Sequence, residues 1–360
     1  MAQNRQNETM GPSAIAPPLL RWFDQNRRLL PFRQEPAPYH IWVSEIMLQQ
    51  TRMSAAVPYY QRFIAALPDV PALAACGEEA LHKLWQGLGY YHRAANLQKA
   101  AQILCSDYGG ALPADYDALR ALPGIGEYTA GAIASIGFGI PAPAVDGNVL
   151  RVFARLYNDP ADVSRPATKR EFTARVLAHQ PPDNPGDYNQ ALMELGALVC
   201  LPNAEPLCPA CPLAGQCAGY AAGTQRSLPN KPEKKQRPTI PVSVLMLESP
   251  AGLLLQKRPE KGLLAGLWQP PAFEGQTLDA AAAARRLADW GLQLCGGPLT
   301  PLPAGRHIFT HKVWALGGWR GRVDAAPAPA GFVWADKAAL RGVYAIPSAF
   351  GCYFITDGRG

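Results

Sequence analysis

LPGIGEYTA, residues 122–130, is the stretch on which the reading of this chain turns. Gly124 and Gly126 leave a turn with almost no side-chain bulk, so backbone N–H groups can face outward and approach a phosphate closely. Twenty residues beyond Gly126 the chain offers Asp146, in VDGN. A phosphate-gripping hairpin beside a candidate catalytic carboxylate points to chemistry on DNA. Tyr128 limits that chemistry, because it brings a hydroxyl and a ring but no amine; equally, it reads as a buried aromatic on the second helix of the hairpin.

Outward from the hairpin, about Pro17 to Tyr220 carries apolar residues at helical spacing, punctuated by Pro and Gly. YHIWVSEIMLQQT, residues 39–51, shows the period: Ile41, Val43, Ile46 and Met47 share one side, and Pro38 suits the first turn. Glu45 interrupts this apolar run, either as an exposed or capping glutamate or as an acid whose desolvation keeps a proton available near neutral pH. Asp146, just before a helical stretch, reads equally as an N-cap. Residues 226–239 collect prolines with Lys231, Lys234, Lys235 and Arg237, which is linker composition. Beyond it, residues 242–248, 252–258 and 307–314 read as strands and 281–290 as a helix, so the C-terminal part is α+β. The expected division is a flexible tail over 1–19, a helical region over 20–225, a linker over 226–239 and an α+β domain over 240–360.

A chain of 360 residues with 48% hydrophobic content buries a substantial core, most simply as two domains. The first eighteen residues lack the apolar segment of a signal peptide, and no stretch gives eighteen uncharged apolar residues in a row. A soluble, non-secreted protein without membrane association follows; it is expected to be a monomer, in the cytoplasm if the source is bacterial, with a nuclear or organellar location left open. The net charge of +6 permits a polyanionic partner without demanding one. Four of eight cysteines are scattered; Cys200, Cys208, Cys211 and Cys217 crowd together. Their single C-x-x-C, flanked by spacers of unequal length, makes a [4Fe–4S] cluster the first reading and zinc the second.

The C-x7-C-x2-C-x5-C pattern after LPGIGEYTA and VDGN resembles the helix-hairpin-helix DNA glycosylase superfamily, whose usual first spacer is one residue shorter. SEIMLQQT (44–51), GLGYY (87–91) and VDGNVLRV (145–152) closely resemble the MutY-type adenine DNA glycosylases within it. The resemblance implies a mainly α glycosylase region, a six-helix barrel with an iron–sulfur subdomain, followed by a Nudix-like α+β domain. It implies that Glu45 protonates adenine, that Asp146 stabilises the sugar cation or adds to it, and that Asn148 supports the sugar side. Tyr128 stands where the bifunctional endonuclease III relatives carry a lysine that cleaves the strand through a Schiff base, so the expected product is an abasic site. Gln50, Thr51, Leu88 and Tyr90 would probe the stack around the opposite base, with helix packing as the plainer role of Leu88 and Tyr90. Arg28, Arg33 and Gln190 would line the adenine pocket.

GLWQPPAFEG (266–275) is similar to the start of a Nudix motif, but residues 285–292 offer only Asp289 where hydrolysis needs several acidic metal ligands. In the family this domain reads 8-oxoguanine through a Phe-Ser-His loop; Phe309, Thr310 and His311 stand in its place here, unless they belong to an ordinary strand. Duplex DNA with adenine opposite 8-oxoguanine or guanine is therefore the expected partner, and an adenine glycosylase of base excision repair the expected activity. The competing readings are a glycosylase for oxidised pyrimidines or for thymine opposite guanine, a nucleotide-pool Nudix hydrolase and a non-catalytic DNA-binding scaffold.

Overall fold

The computed structural model describes residues 14–34, 36–232, 236–324 and 326–354. The chain forms two compact units: Met1–Ala75 with Asn96–Lys234, and Cys76–Ala95 with Lys235–Gly360. Residues 76–95, assigned from sequence to the helical region, thus pack within the second unit, and of the linker basic residues Lys234 and Lys235 lie outside the described residues.

The first unit is helical. Proline in the first turn opens the helices Ala16–Asn26, Pro38–Leu48, Pro166–Ala178 and Pro185–Leu198, where a missing N–H costs nothing. Asn184 also caps the last of these, and Asp115 and Asp146 cap two others, each by accepting backbone N–H groups of the first turn. Phe23, Phe153, Tyr188 and Leu192, drawn from three of these helices, share one buried cluster. The first helix begins at Ala16 and buries Leu19 fully, so the expected tail cannot extend to residue 19; residues 1–13 lie outside the described set. Helix Pro38–Leu48 also departs from expectation: Tyr39 and every residue from Ile41 to Met47 is buried, leaving no solvent face. A helix packed on all sides needs apolar residues all round, which is why its periodicity is weak.

The second unit is built on a mixed eight-stranded sheet. β1 (Thr239–Ser249), β2 (Gly252–Lys257), β3 (Trp268–Gln269), β4 (Ala272–Glu274), β5 (Leu294–Pro301), β6 (Gly305–Ile308), β7 (Val313–Val323) and β8 (Phe332–Ala335) follow in chain order. The main path runs β3-β2-β1-β7-β5, with β4 also on β1, β6 on β7 and β8 on β2. β1 and β7 run parallel, Thr239 opposite Val313, and the other pairs are antiparallel. Val242, Val244 and Met246 point into one core and Leu245 and Leu247 into the other, so both sheet faces are covered and β1 reads as a continuous apolar run. Helix Ala280–Asp289, capped by Asp279, covers the second face. Helix Glu78–Trp85 joins this unit through Glu79, which accepts from Lys257 Nζ and Trp268 Nε1, both at 3.1 Å.

Residues 307–314 are two strands rather than one. β6 ends at Ile308, Phe309 N–H donates to Lys312 C=O at 2.9 Å, and β7 begins at Val313. Phe309, Thr310 and His311 therefore occupy a turn, which frees them from the alternation of a strand.

Candidate active site

The hairpin turn is shaped by Gly124, whose φ of +80° suits glycine and whose added Cβ would lie 2.8 Å from the Cβ of Asn96. Gly126 has φ −91° and open space where a side chain would be. Among the described residues nothing within 4 Å demands glycine there. The helix Glu127–Ala132 that follows runs into a π turn, Ile133–Gly137.

Tyr128 leaves this helix for the carboxyl of Glu45, donating from Oη to Oε2 at 2.6 Å, with Met193 Sδ 3.5 Å away. Glu45 is 8% exposed. Burial raises its carboxyl to about 7, reinforced by the like charge of Asp146 and opposed by the Tyr128 hydroxyl and Arg33. Burial and the same two carboxylates push the Tyr128 hydroxyl well above its ordinary value, so it remains a donor.

Asp146 is the N-cap that the sequence offered, and it also lines the cleft. Its Oδ1 accepts from Asn148 N and Val149 N, both at 2.8 Å, and its Oδ2 from Asn148 Nδ2 at 2.7 Å. Burial still raises the carboxyl against these bonds. Asn148 is oriented in turn by Arg151, whose Nη2 donates to its Oδ1 at 2.9 Å and to Gly196 C=O at 2.7 Å. A side chain at residue 196 would strike Asn148 Cβ at 2.6 Å, so only glycine lets the helix Pro185–Leu198 come so close.

Glu45, Tyr128, Asp146 and Asn148 line one cleft of about 1290 Å³, together with Gln50, Thr51, Arg28, Arg33 and Gln190. Gln50 adopts φ +58°, an uncommon conformation for a residue with a side chain. Leu88 and Tyr90 lie in the second unit. There Tyr90, also left-handed at φ +47°, places its hydroxyl 2.7 Å from Thr310 Oγ1. Leu88 is buried. Phe309 meets His307 and Trp314 edge-on, with ring centroids 4.6 and 4.8 Å away, while Thr310 and His311 are exposed.

Two functional candidates escaped the sequence reading. Glu194, 1% exposed at its side chain, grips both pocket arginines: Arg28 Nε at 2.6 Å, Arg28 Nη2 at 2.9 Å and Arg33 Nη2 at 2.9 Å. Burial alone would raise its carboxyl, but the two guanidinium groups more than offset that and hold it at about 2. Its position four residues after Gln190, on the same helix face, was the available signal. Asn189 is the other; it is fully buried beside the segment that leads to Asp146.

The four clustered cysteines line a second, apolar cavity. The seven-residue first spacer is accommodated by a loop whose residues 202–205 are exposed and whose Leu207 N–H returns to Val199 C=O at 2.9 Å. Arg155 Nη1 lies 3.2 Å from Cys200 Sγ, and burial pushes the Cys211 thiol up to about 12. Among the described residues, no three His, Cys, Asp or Glu side chains converge as a single metal ion requires. Cys200, Cys208, Cys211 and Cys217 around this one cavity are the residues that could hold a thiolate-bound metal group.

The family described as HhH-GPD superfamily base excision DNA repair protein matches residues 43–177, and the NUDIX domain family matches residues 243–353. The chain is 34% identical over 385 residues to the adenine DNA glycosylase of Mus musculus, covering 88% of this chain and 72% of that protein. It is 33% identical over 378 residues to the adenine DNA glycosylase of Homo sapiens, covering 88% and 69%. Among solved structures, a thermostable thymine-DNA glycosylase is similar with a TM-score of 0.52 and 27% identity, covering 57% of this chain and 94% of that chain.

Proposed function

The chain belongs to the adenine DNA glycosylase family, and from that premise we propose that it hydrolyses the N-glycosidic bond of adenine paired with 8-oxoguanine or guanine in duplex DNA, leaving an abasic site and an intact strand. The observation that carries this reading is the trio of Glu45, Tyr128 and Asp146 on one cleft, two carboxyls with raised proton affinity and a phenol bonded to the first.

In this mechanism adenine leaves the stack and enters the cleft. Glu45, poised near 7, delivers its proton to the base and makes it a better leaving group. Positive charge then develops on the sugar, and the Asp146 carboxylate, fixed by three hydrogen bonds, stabilises it or adds to it. Glu45, now ionised, activates water to complete hydrolysis. Tyr128 holds the Glu45 carboxyl and offers no amine, so no Schiff base forms and the strand survives. Arg28 and Arg33, presented by Glu194, face the base, with Gln190 on the same wall.

Gly124 and Gly126 hold the backbone of the duplex, Gln50, Thr51, Leu88 and Tyr90 occupy the gap around the opposite base, and Phe309, Thr310 and His311 read its oxidation. The hydroxyl contact between Tyr90 and Thr310 supports a shared role for these two residues. Cys200, Cys208, Cys211 and Cys217 hold a [4Fe–4S] cluster, which when bound ties the loop they lie on into one covalent unit. Purified protein should carry about four irons per chain; stoichiometric zinc would contradict the assignment.

Single-turnover assays on duplexes carrying adenine opposite 8-oxoguanine, guanine, cytosine and thymine test the specificity. Fast release opposite the first two and slow release opposite the others is expected. Activity confined to pyrimidine lesions would overturn the proposal.

A further inference from the structure

Residues 139–146 belong to no helix or strand, yet they deliver Asp146 to the cleft. Buried backbone without a ladder needs partners from elsewhere. Ala142 and Ala144 are 3% and 0% exposed; Gln180 Nε2 gives Ala142 C=O one bond at 3.0 Å, and both residues are also bonded by Asn189, itself 0% exposed on helix Pro185–Leu198. Its Oδ1 accepts from Ala144 N–H at 3.2 Å. Its Nδ2 donates to Ala142 C=O at 2.8 Å and to Ser135 Oγ, in the π turn behind the hairpin, at 2.8 Å. The amide thus has a partner for each of its two N–H groups and for its oxygen.

Two glycines show how tightly this corner is built. A Cβ at Gly131 would fall 2.0 Å from Pro143 O, so the segment lies directly on the hairpin helix. A Cβ at Gly186 would fall 2.7 Å from Ser135 O, so helix Pro185–Leu198 lies directly on the π turn. Asn189 joins all three pieces at the point where they meet.

We propose that Asn189 is a positioning residue for the glycosylase reaction, clamping residues 142–144 to the π turn so that Asp146 is set from its N-terminal side as the helix it caps sets it from the other. This rests on the assignment of Asp146 to the sugar cation. An amide suits the task because it supplies donors and an acceptor without charge, and so leaves the electrostatics of Glu45 and Asp146 undisturbed. A carboxylate at 189 would set its negative oxygen against Ala142 C=O, and alanine would leave Ala144 N–H buried without its side-chain acceptor and Ala142 C=O with the Gln180 amide alone.

Asn189→Ala and Ser135→Ala are compared with wild type for single-turnover adenine release, duplex dissociation constant, pH profile and thermal melting. Misplacing a reacting group by about an ångström costs about 100-fold in rate. We expect a loss of that order in Asn189→Ala, with the duplex dissociation constant within about three-fold. The alkaline limb of the pH profile should stay in place, because the proton donor is untouched. Ser135→Ala, which removes one partner of the three, should lose several-fold in release rate with unchanged binding. Release within about three-fold of wild type from folded Asn189→Ala, or parallel losses of release and binding, would overturn the proposal. If Asn189→Ala does not fold, an unaffected Ser135→Ala overturns it. Wild-type protein that releases no adenine would instead sink the functional reading beneath it, which is a different result from an active wild type and an indifferent variant.

Discussion

Glu45 shows in one side chain the conflict between stability and function. Its carboxyl is raised from 4.5 to about 7 by burial, so the folded state resists its ionisation. The sign follows directly: between pH 4.5 and 7 the folded chain holds a proton that the unfolded chain has lost, and stability falls as pH rises through that window. Glu45→Gln keeps an acceptor for Tyr128 and has no proton to lose. It should match wild type in denaturant melts near pH 4.5 and exceed it by ~3 kcal/mol at pH 8, while adenine release falls by about 100-fold or more. A variant less stable than wild type at pH 8 would contradict the burial argument. The wild-type release rate should decline as pH rises through about 7, as the proton donor is titrated. Asp146→Asn separates the two duties of that residue: asparagine also caps helices, so melting should shift by less than about 1 kcal/mol while base release is lost and duplex binding is kept. Loss of folding instead would leave Asp146 a cap alone.

At the scale of elements, the hairpin separates glycines required by the fold from glycines available to a ligand. Gly124→Ala meets both a positive φ and a contact with Asn96 and should cost about 1–3 kcal/mol of stability. Gly126→Ala meets neither and should melt within about 0.5 kcal/mol of wild type, yet bind duplex more weakly. Unchanged affinity in Gly126→Ala would remove the backbone-gripping role. The hairpin, the capped Asp146 helix and the cysteine loop were legible because each is written within a few consecutive residues. Glu194 and Asn189 were not: Glu194 binds Arg28 across 166 residues, and Asn189 serves backbone atoms that no side-chain pattern marks. The strand expected over 307–314 failed for a related reason. Phe309 extends the apolar pattern of the strand into a tight turn and packs against His307 and Trp314, so the break at Thr310 and His311 is hidden.

At the scale of the whole molecule, the chain enters the second unit twice, and residues 76–95 bring Tyr90 to Thr310. A boundary drawn from the linker alone could not have placed that segment, because Glu79, Lys83 and Gln86 find their partners, Lys257, Leu340 and Ile346, far along the chain. Thr310→Ala removes the hydroxyl that Tyr90 meets and should narrow the preference for adenine opposite 8-oxoguanine over guanine by about tenfold, the worth of one hydrogen bond; an unchanged ratio would return the turn to a structural role. The central claim is that Glu45 and Asp146 remove a base while Tyr128 leaves the strand whole. Its most direct test is product analysis on a duplex with adenine opposite 8-oxoguanine, following free adenine and strand length together, with and without alkali and with borohydride present. The account predicts one adenine per duplex, full-length strand until alkali is added and no trapped adduct. Strand breaks that appear at the rate of adenine release, with a borohydride-trapped complex, would contradict it.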